Sequence, residues 1–542
     1  LSGKADRENR IKVPFGIVAG TVPVLLIGLF HTGDIEEAIG ECNDLFLRRD
    51  YRLLLLFLAA LLIVSGYFLL KRDVRPERMF FFTGLVLGLL FMTVMPGLSA
   101  PDEISHYITA YRLSSRMTGH AELDETGRHI QVRADDYVLE DQDLKRAETP
   151  ADQKIVTSVL GDPVEEITYR RIHHWNELYP HREGTADSYQ ADVRTTPLVY
   201  VPQAAGISIA RIFGFGSLSL LFLGKFFNLL IYLFLTAAAI RRIPFGKEVL
   251  FGTVLLPMTI SLSSSMSYDT MILGTAFFLT AEFLYLAYGA DRVKISDLVL
   301  LCVLTAVLGP CKMVYSLLIF LFFLIPGKKF GGNRRKVLSF LLLAAVLILS
   351  MVLVNAAVIR SYAAVSQDGA VVQADRAGYS AGELLSRPGF ILKMLGSTFV
   401  LQGERLHLGM IGEWLGNLDP VLGTPYFITV MFTLGLIALS LKKPGESQKM
   451  SGCARAWTAL ILLGIVLLTA GAMFVSWTTR DSAVIEGIQG RYFLPVLPLF
   501  LLILKNDCIV QTGDRSRGVL YSFICMDAYV LLHLFVTAAL RL

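Results

Sequence analysis

The chain is patterned as a series of apolar runs separated by polar stretches. They lie near 11–30, 51–70, 78–98, 197–213, 217–240, 246–264, 269–289, 296–309, 311–326, 336–358, 425–441, 455–475, 490–504 and 518–539. About 20 apolar residues span a bilayer core, and backbone polar groups in lipid must be satisfied within the segment, so the runs are expected to be helices. The pattern predicts an all-α polytopic membrane protein with about 13–14 transmembrane helices and two large exterior loops. The first run, Ile11 to Phe30, lacks a small-residue cleavage site and reads as a membrane helix rather than a signal peptide. Four parts are expected: a helical hairpin over 1–75, a core over 76–358 that includes an exterior loop at 99–196, a second exterior loop over 359–424, and C-terminal helices over 425–542.

Composition agrees with the pattern. The chain of 542 residues is 54% hydrophobic with mean hydropathy +0.56, and only 18% charged, against about 25% in soluble proteins. The net charge of +4 gives no case for nucleic-acid binding. The six cysteines are scattered without a CxxC pair, which excludes a disulfide frame or zinc site of the usual spacing.

Charge position orients the helices. Lys71 to Arg78, Lys328 to Lys336 and Lys442-Lys443 are basic and are placed in the cytoplasm. Loop 99–196, with 19 Asp/Glu against 11 Lys/Arg, then falls outside, as does 359–424. The larger loop is expected to form short helices lying on the membrane domain. One conflict stands: two apolar runs lie between Thr196 and the basic Arg241-Arg242, where an odd number of crossings is needed. Either 197–213 is re-entrant or interfacial, the slightly favoured reading, or Arg241 and Arg242 break the charge rule.

The best-marked chemistry is Ser99-Ala100-Pro101-Asp102-Glu103-Ile104-Ser105-His106, where the third run meets the acidic loop. Ser99 and Asp102 are spaced like a capping box, and Pro101 suits a first helical turn, so Asp102 can be read as a helix cap alone. Against that, Asp102, Glu103 and His106 share one helical face. Two carboxylates and an imidazole at a membrane boundary are costly unless paired or used, and a carboxylate there can serve as general base. Thr195-Thr196-Pro197 reads as a helix start that could come beside this motif. Asp269, after Ser267-Tyr268, is a cap or a functional carboxylate. Lys312 and Arg491 are snorkelling anchors or phosphate ligands. Glu413-Trp414 ends the second exterior loop, where an interfacial tryptophan needs no function. His173 and His174 could join the acidic motif at a metal, although adjacent histidines point differently and zinc wants three or four convergent ligands. No Walker loop, GxGxxG or Ser-His-Asp signature occurs. No cytoplasmic loop is large enough for a nucleotide-binding domain, which argues against a nucleotide-activated substrate.

The order PDExxH, Thr-Pro-Leu-Val-Tyr, Ser-x-Tyr-Asp, Lys-Met-Val-Tyr, Gly-Glu-Trp-Leu-Gly and Gln-Gly-Arg-Tyr-Phe-Leu-Pro runs from about Phe80 to Leu504. It resembles a bacterial polytopic membrane family of unknown function with relatives in the glycosyltransferase C-type (GT-C) superfamily. The resemblance implies a sugar transferase that takes its donor from a polyprenyl phosphate, usually with inversion, on the outer face of a bacterial cytoplasmic membrane. The acceptor would be an envelope glycan, a teichoic-acid-like polymer or a glycolipid. Asp102, or Glu103 close behind it, would be the base. Lys312, Arg491 and His106 would meet the donor phosphate, with His106 alternatively orienting the carboxylates. Asp269, Tyr315, Glu413, Trp414, Gln489 and Tyr492 would contact substrate. No cofactor is certain; a divalent metal is the candidate, and Asp269 would hold an acceptor hydroxyl or assist that metal. The superfamily usually has one helix before the acidic loop and this chain has three, so the first hairpin is an addition. Two rival classes remain. A lipid-linked glycan flippase or transporter would place charges near the midplane and often shows a repeat. A glycan polymerase or ligase would share the outward site but use a diphosphate donor.

Overall fold

Prolines and tertiary partners decide which apolar runs become long helices. A computed structural model describes residues 2–42, 45–72, 74–95, 97–137, 168–178, 180–188, 193, 195–368, 378–416, 422–447 and 450–540. Helices α1 (Ser2–Phe30), α2 (Thr32–Cys42) and α3 (Phe46–Leu70) precede α4 (Pro76–Val94). The first polar insert carries α5 (Glu103–Thr118), strand β1 (Gln131–Arg133), short helices α6 (Thr168–His173) and α7 (Trp175–Leu178), and strand β2 (Thr185–Asp187). Next come α8 (Val201–Ile212), α9 (Ser217–Arg242), α10 (Lys247–Val254), α11 (Pro257–Ser263), α12 (Asp269–Leu284), α13 (Ile295–Cys311) and α14 (Asn333–Asp368). The second insert holds α15 (Ala381–Leu385) and α16 (Pro388–Ile411), followed by α17 (Tyr426–Ser440), α18 (Gly452–Ser476), α19 (Leu497–Leu504) and α20 (Ser516–Leu540). The protein is an all-α polytopic membrane protein; β1 and β2 form one small antiparallel ribbon with Val132 opposite Ala186.

Eight helices among the described residues have the length and apolarity to cross a membrane: Phe15–Glu37, α3, α4, α9, Asp269–Gly289, Asn333–Ala356, α18 and Ser516–Ala539. The other apolar runs fold into shorter pieces. Run 246–264 breaks at Pro257, which cannot donate a backbone hydrogen bond. The Thr259 hydroxyl lies within hydrogen-bond reach of the Thr253, Val254 and Leu256 carbonyls around the break. Runs 296–309 and 311–326 form a tight hairpin. α13 ends past Pro310, Lys312 is extended, and a 3-10 helix, Met313–Leu324, returns until Val293 N–H meets the Lys329 carbonyl. A 3-10 helix rises about 2.0 Å per residue, so 12 residues reach about as far as the 17 of α13.

The basic loops gather at one end of the bundle. Lys443 pairs with Glu248 and Asp514, Lys505 with Glu446, and Arg242 with the buried Glu282 and Asp297. The polar inserts lie at the opposite end, where α5 and α8 run parallel. His106 meets Tyr200 at their starts, while Ser114 meets Ser208 and Arg211 further along. α5 is too polar to cross a membrane, and α8 lies beside it, with Gly206 against the α9 backbone. α8 therefore adds no crossing. α9 alone connects the insert end to Arg241 and Arg242, which satisfies the odd count. Of the two readings of the parity conflict, the short α8 fits the one that keeps 197–213 out of the crossings.

The added N-terminal hairpin is not isolated. α1 and α3 pack on α20, which also packs on α4. Placing the insert end and the basic end on opposite sides predicts a labelling result. In a background without other cysteines, Cys508 in the exposed basic-end loop and a Glu125→Cys variant in the first insert should react with a membrane-impermeant maleimide from opposite faces of sealed vesicles. Labelling of both from one face contradicts this arrangement.

Candidate active site

Glu103 fixes the acidic loop. Its side chain is buried; Oε2 accepts from Ala100 N–H at 2.9 Å, and Oε1 accepts from Met266 N–H at 2.9 Å and lies 3.1 Å from Lys225 Nζ. One carboxylate thus joins the end of α4, the start of α5, the loop before α12, and α9. The same loop is held from below by Gln203, which donates to the Met266 and Ser267 carbonyls, and by Asn228, which donates to Ser265, Ser267 and Thr270. Non-helical backbone inside a membrane domain needs such partners. The capping-box expectation is corrected here. Asp102 makes no side-chain cap hydrogen bond; Glu103 reaches back to the backbone instead.

With Glu103 engaged, Asp102 is free to face outward. It takes a left-handed conformation, φ 56°, one of two non-glycine residues with positive φ among those described; the other, Leu98, is in the same loop. Such strain persists only where the surroundings impose it. The Asp102 carboxylate is 58% exposed and 3.5 Å from Arg491 Nη2; on its other side Arg491 Nε is 3.5 Å from the mostly buried Asp269. Those spacings are electrostatic contacts rather than good hydrogen bonds. Arg491 itself is 7% exposed, and its Nε and Nη1 have no hydrogen-bond partner among the described residues. A buried guanidinium with N–H groups left over from its protein contacts can take an anionic partner. Lys312 completes the group, its Nζ 3.7 Å from the centre of the Tyr492 ring.

Gly490 makes the position of Arg491 attainable. A Cβ there would lie 2.0 Å from the Leu406 carbonyl and 2.4 Å from Met410 N, so only glycine lets the 3-10 helix Gly490–Val496 press against the α16 backbone. Tyr315 is buried and donates to the Tyr492 carbonyl at 2.6 Å, anchoring the same turn. His106 is buried, shares a 2.7 Å hydrogen bond between Nδ1 and the Tyr200 hydroxyl, and packs edge-on against Tyr268. Burial pushes its imidazole down to about 4 against the pull of Asp102 and Asp269, so it is neutral at pH 7. Of its two expected roles, orientation fits this environment and a charged contact to phosphate does not.

Thus Asp102, Asp269, Lys312, Arg491, Tyr492, Tyr315 and His106 come together from four separate stretches of chain. Gln489 and Trp414 line a neighbouring crevice with Pro101, Arg405 and Arg491. Glu413 is set beside them, with its Oε2 unpartnered among the described residues. His173 and His174, weighed as metal ligands for the acidic motif, have other partners. His173 pairs with Asp50 at 2.5 Å and His174 with Glu177 at 2.9 Å. Among the described residues no three His, Cys, Asp or Glu side chains are grouped to hold a metal ion. Sequence reasoning passed over Lys225, Asn228, Gln203 and Arg405. Lys225 and Asn228 carried a usable signal: they are the polar interruptions of run 217–240, three residues apart on one helical face.

A helical membrane bundle with inserts at one end and a charged, partly strained cluster beneath them defines the class: a polytopic membrane protein with a built polar site at one membrane boundary. The chain belongs to the family described as Predicted membrane protein (DUF2142), whose model matches residues 85–500. That interval holds every candidate site residue and omits α1–α3 and α20. No curated protein and no solved structure matches the chain.

The two carboxylates of the motif should separate by stability. Glu103→Gln leaves Lys225 buried without its partner, and removing one member of a buried pair costs roughly 3–5 kcal/mol. Asp102→Asn, at an exposed side chain, should change stability by about 0.5 kcal/mol or less. Thermal denaturation of the detergent-purified variants measures this, and adding Lys225→Met should recover part of the Glu103→Gln loss. Equal melting temperatures for the two single variants contradict the assignment.

Proposed function

We propose that the protein is a membrane glycosyltransferase, related in mechanism to the C-type glycosyltransferases. It moves a sugar from a polyprenyl-phosphate donor to a cell-envelope glycan or glycolipid on the outer face of a bacterial cytoplasmic membrane. The observation that carries this reading is the buried Arg491, with unsatisfied N–H groups between Asp102 and Asp269. A phosphate oxygen satisfies those donors, and Lys312 adds a second positive charge without a carboxylate partner at ion-pair distance among the described residues.

The reaction is a single displacement. The acceptor hydroxyl gives its proton to the Asp102 carboxylate, and its oxygen bonds to the anomeric carbon. The bond from that carbon to the phosphate oxygen breaks. Polyprenyl phosphate leaves with its charge on Arg491 and Lys312, and one displacement inverts the anomeric centre. Asp269 holds Arg491 in line and is available to a sugar hydroxyl. His106, neutral and tied to Tyr200, keeps the start of α5 in register. Glu103 serves structure, so Asp102 is the base of the pair.

A lipid-borne donor also accounts for the flank of the site. An open apolar groove of about 450 Å³ runs between α13 and α14, lined by Val303, Val307, Leu349 and Leu353, and reaches Leu198, two residues from Tyr200. It gives a prenyl chain an apolar path from the lipid to the level of Lys312.

The test uses purified protein in lipid, radiolabelled polyprenyl-phosphate sugars and envelope extract. Asp102→Asn should lower transfer about 10²–10⁴-fold, the usual worth of a general base. Arg491→Gln should lower it about 10²–10³-fold, as loss of one preorganised charge contact does. The linkage formed should have the opposite anomeric configuration to the donor. Unimpaired transfer by Asp102→Asn overturns the base assignment. Flipping of a labelled lipid in liposomes with no sugar transfer overturns the enzyme reading in favour of a flippase.

A further inference from the structure

The crevice beside Arg491 has a composition of its own. Pro101, Arg405, Trp414, Gln489 and Arg491 contribute to its lining, which contains two guanidinium groups and no carboxylate. Its closed space is about 60 Å³, room for a compact group such as a carboxylate or phosphate, and it opens to the exterior. Arg405 is exposed and lies over the Trp414 indole at 5.2 Å; no ion pair engages it among the described residues. This cation–π contact holds the guanidinium near the crevice and leaves its N–H groups for a planar or tetrahedral anion. At the inner end the crevice meets the buried Arg491, whose charge faces Asp102 and Asp269. Pro101 places the crevice one residue from Asp102.

These features differ from those of the apolar groove on the opposite flank. That groove has almost no polar lining and suits a hydrocarbon chain. The crevice offers an indole edge, the Gln489 amide and glycine backbone at Gly409, Gly416 and Gly490, which suit hydroxyl-rich ligands. Arg405, which has no ion-pair partner among the described residues, favours an anionic group there.

We infer that this crevice is the acceptor subsite, and that it takes a saccharide or polyol unit carrying a carboxylate or phosphate. Arg405 binds the anionic group, Trp414 and Gln489 hold the sugar or polyol, and the attacking hydroxyl is directed to Asp102. This inference rests on the transferase reading for the word acceptor, but not for the binding itself.

Binding and transfer are therefore measured separately. The full chain in lipid nanodiscs is titrated with methyl β-glucuronide, glycerol 3-phosphate and neutral methyl β-glucoside, using saturation-transfer NMR. At least one anionic probe should bind about 10-fold or more tightly than the glucoside, a difference of about 1.4 kcal/mol. Preference between the two anionic probes assigns a uronic-acid or a polyol-phosphate acceptor. Arg405→Gln should abolish the preference, and Arg405→Lys should restore part of it through charge alone. Equal binding of neutral and anionic probes, no detectable binding of any probe, or a preference untouched by Arg405→Gln overturns the inference. Anionic binding that depends on Arg405, in a protein that transfers no sugar, sinks the transferase reading and leaves the anion site standing.

Discussion

The buried ion pair between Glu103 and Lys225 is the constraint on which the site depends. Both side chains are almost fully removed from solvent. A charge so placed is costly alone, and the cost is offset only because Glu103 also accepts two backbone N–H groups. Those bonds come from chain segments 163 and 3 residues away. The pair thus joins α9, the acidic loop and the loop before α12 into one unit. Register follows from it. Because Glu103 points inward and is fully engaged, its neighbour Asp102 must turn outward, and the backbone there accepts a left-handed conformation to allow it. A carboxylate presented by strain, on a loop clamped from below, is a preorganised one.

The same economy places the cations. Gly490 removes the side chain that would keep the 3-10 turn away from α16, Tyr315 ties the turn down, and Arg491 enters the space between two carboxylates. The cluster of Asp102, Asp269, Lys312 and Arg491 carries formal charges that cancel, so its assembly in a membrane domain is tolerable before any ligand arrives. The donors left open on Arg491 then define what can join it. On the proposed reading, a lipid phosphate reaches these donors from the α13–α14 flank and an acceptor from the α16 flank, and the two meet at Asp102.

Much of this was legible in the sequence, for identifiable reasons. Apolar run length gave the membrane class, and basic residues in short loops gave the two ends of the bundle, since burial of charge in lipid is too costly to be ambiguous. The motif residues Asp102, Asp269, Lys312 and Arg491 stood out because charge at the edge of an apolar run needs a reason. What stayed hidden was contact across long separations. The capping-box spacing of Ser99 and Asp102 was a local rule defeated by Glu103, whose partners lie on α9 and before α12. Run 197–213 is apolar because α8 packs on α5 and α9, and not because it crosses the lipid; periodicity does not separate these cases. Apart from Lys312 and Arg491, runs 311–326 and 490–504 are largely apolar, and the 3-10 geometry of Met313–Leu324 and Gly490–Val496 is set by packing. Arg405 gave no signal, because its partner Trp414 lies nine residues on, past the end of α16.

The central claim is that Arg491 holds open donors for a phosphate at the lipid boundary. Its most direct test compares binding of polyprenyl monophosphate and uncharged polyprenol to the full chain in nanodiscs, for wild type and Arg491→Gln. The account predicts that the monophosphate binds wild type about 10-fold or more tightly than the polyprenol, at least 1.4 kcal/mol roughly, and that Arg491→Gln removes most of that difference. Equal affinity of wild type for the two lipids, or a phosphate preference unchanged in Arg491→Gln, contradicts it.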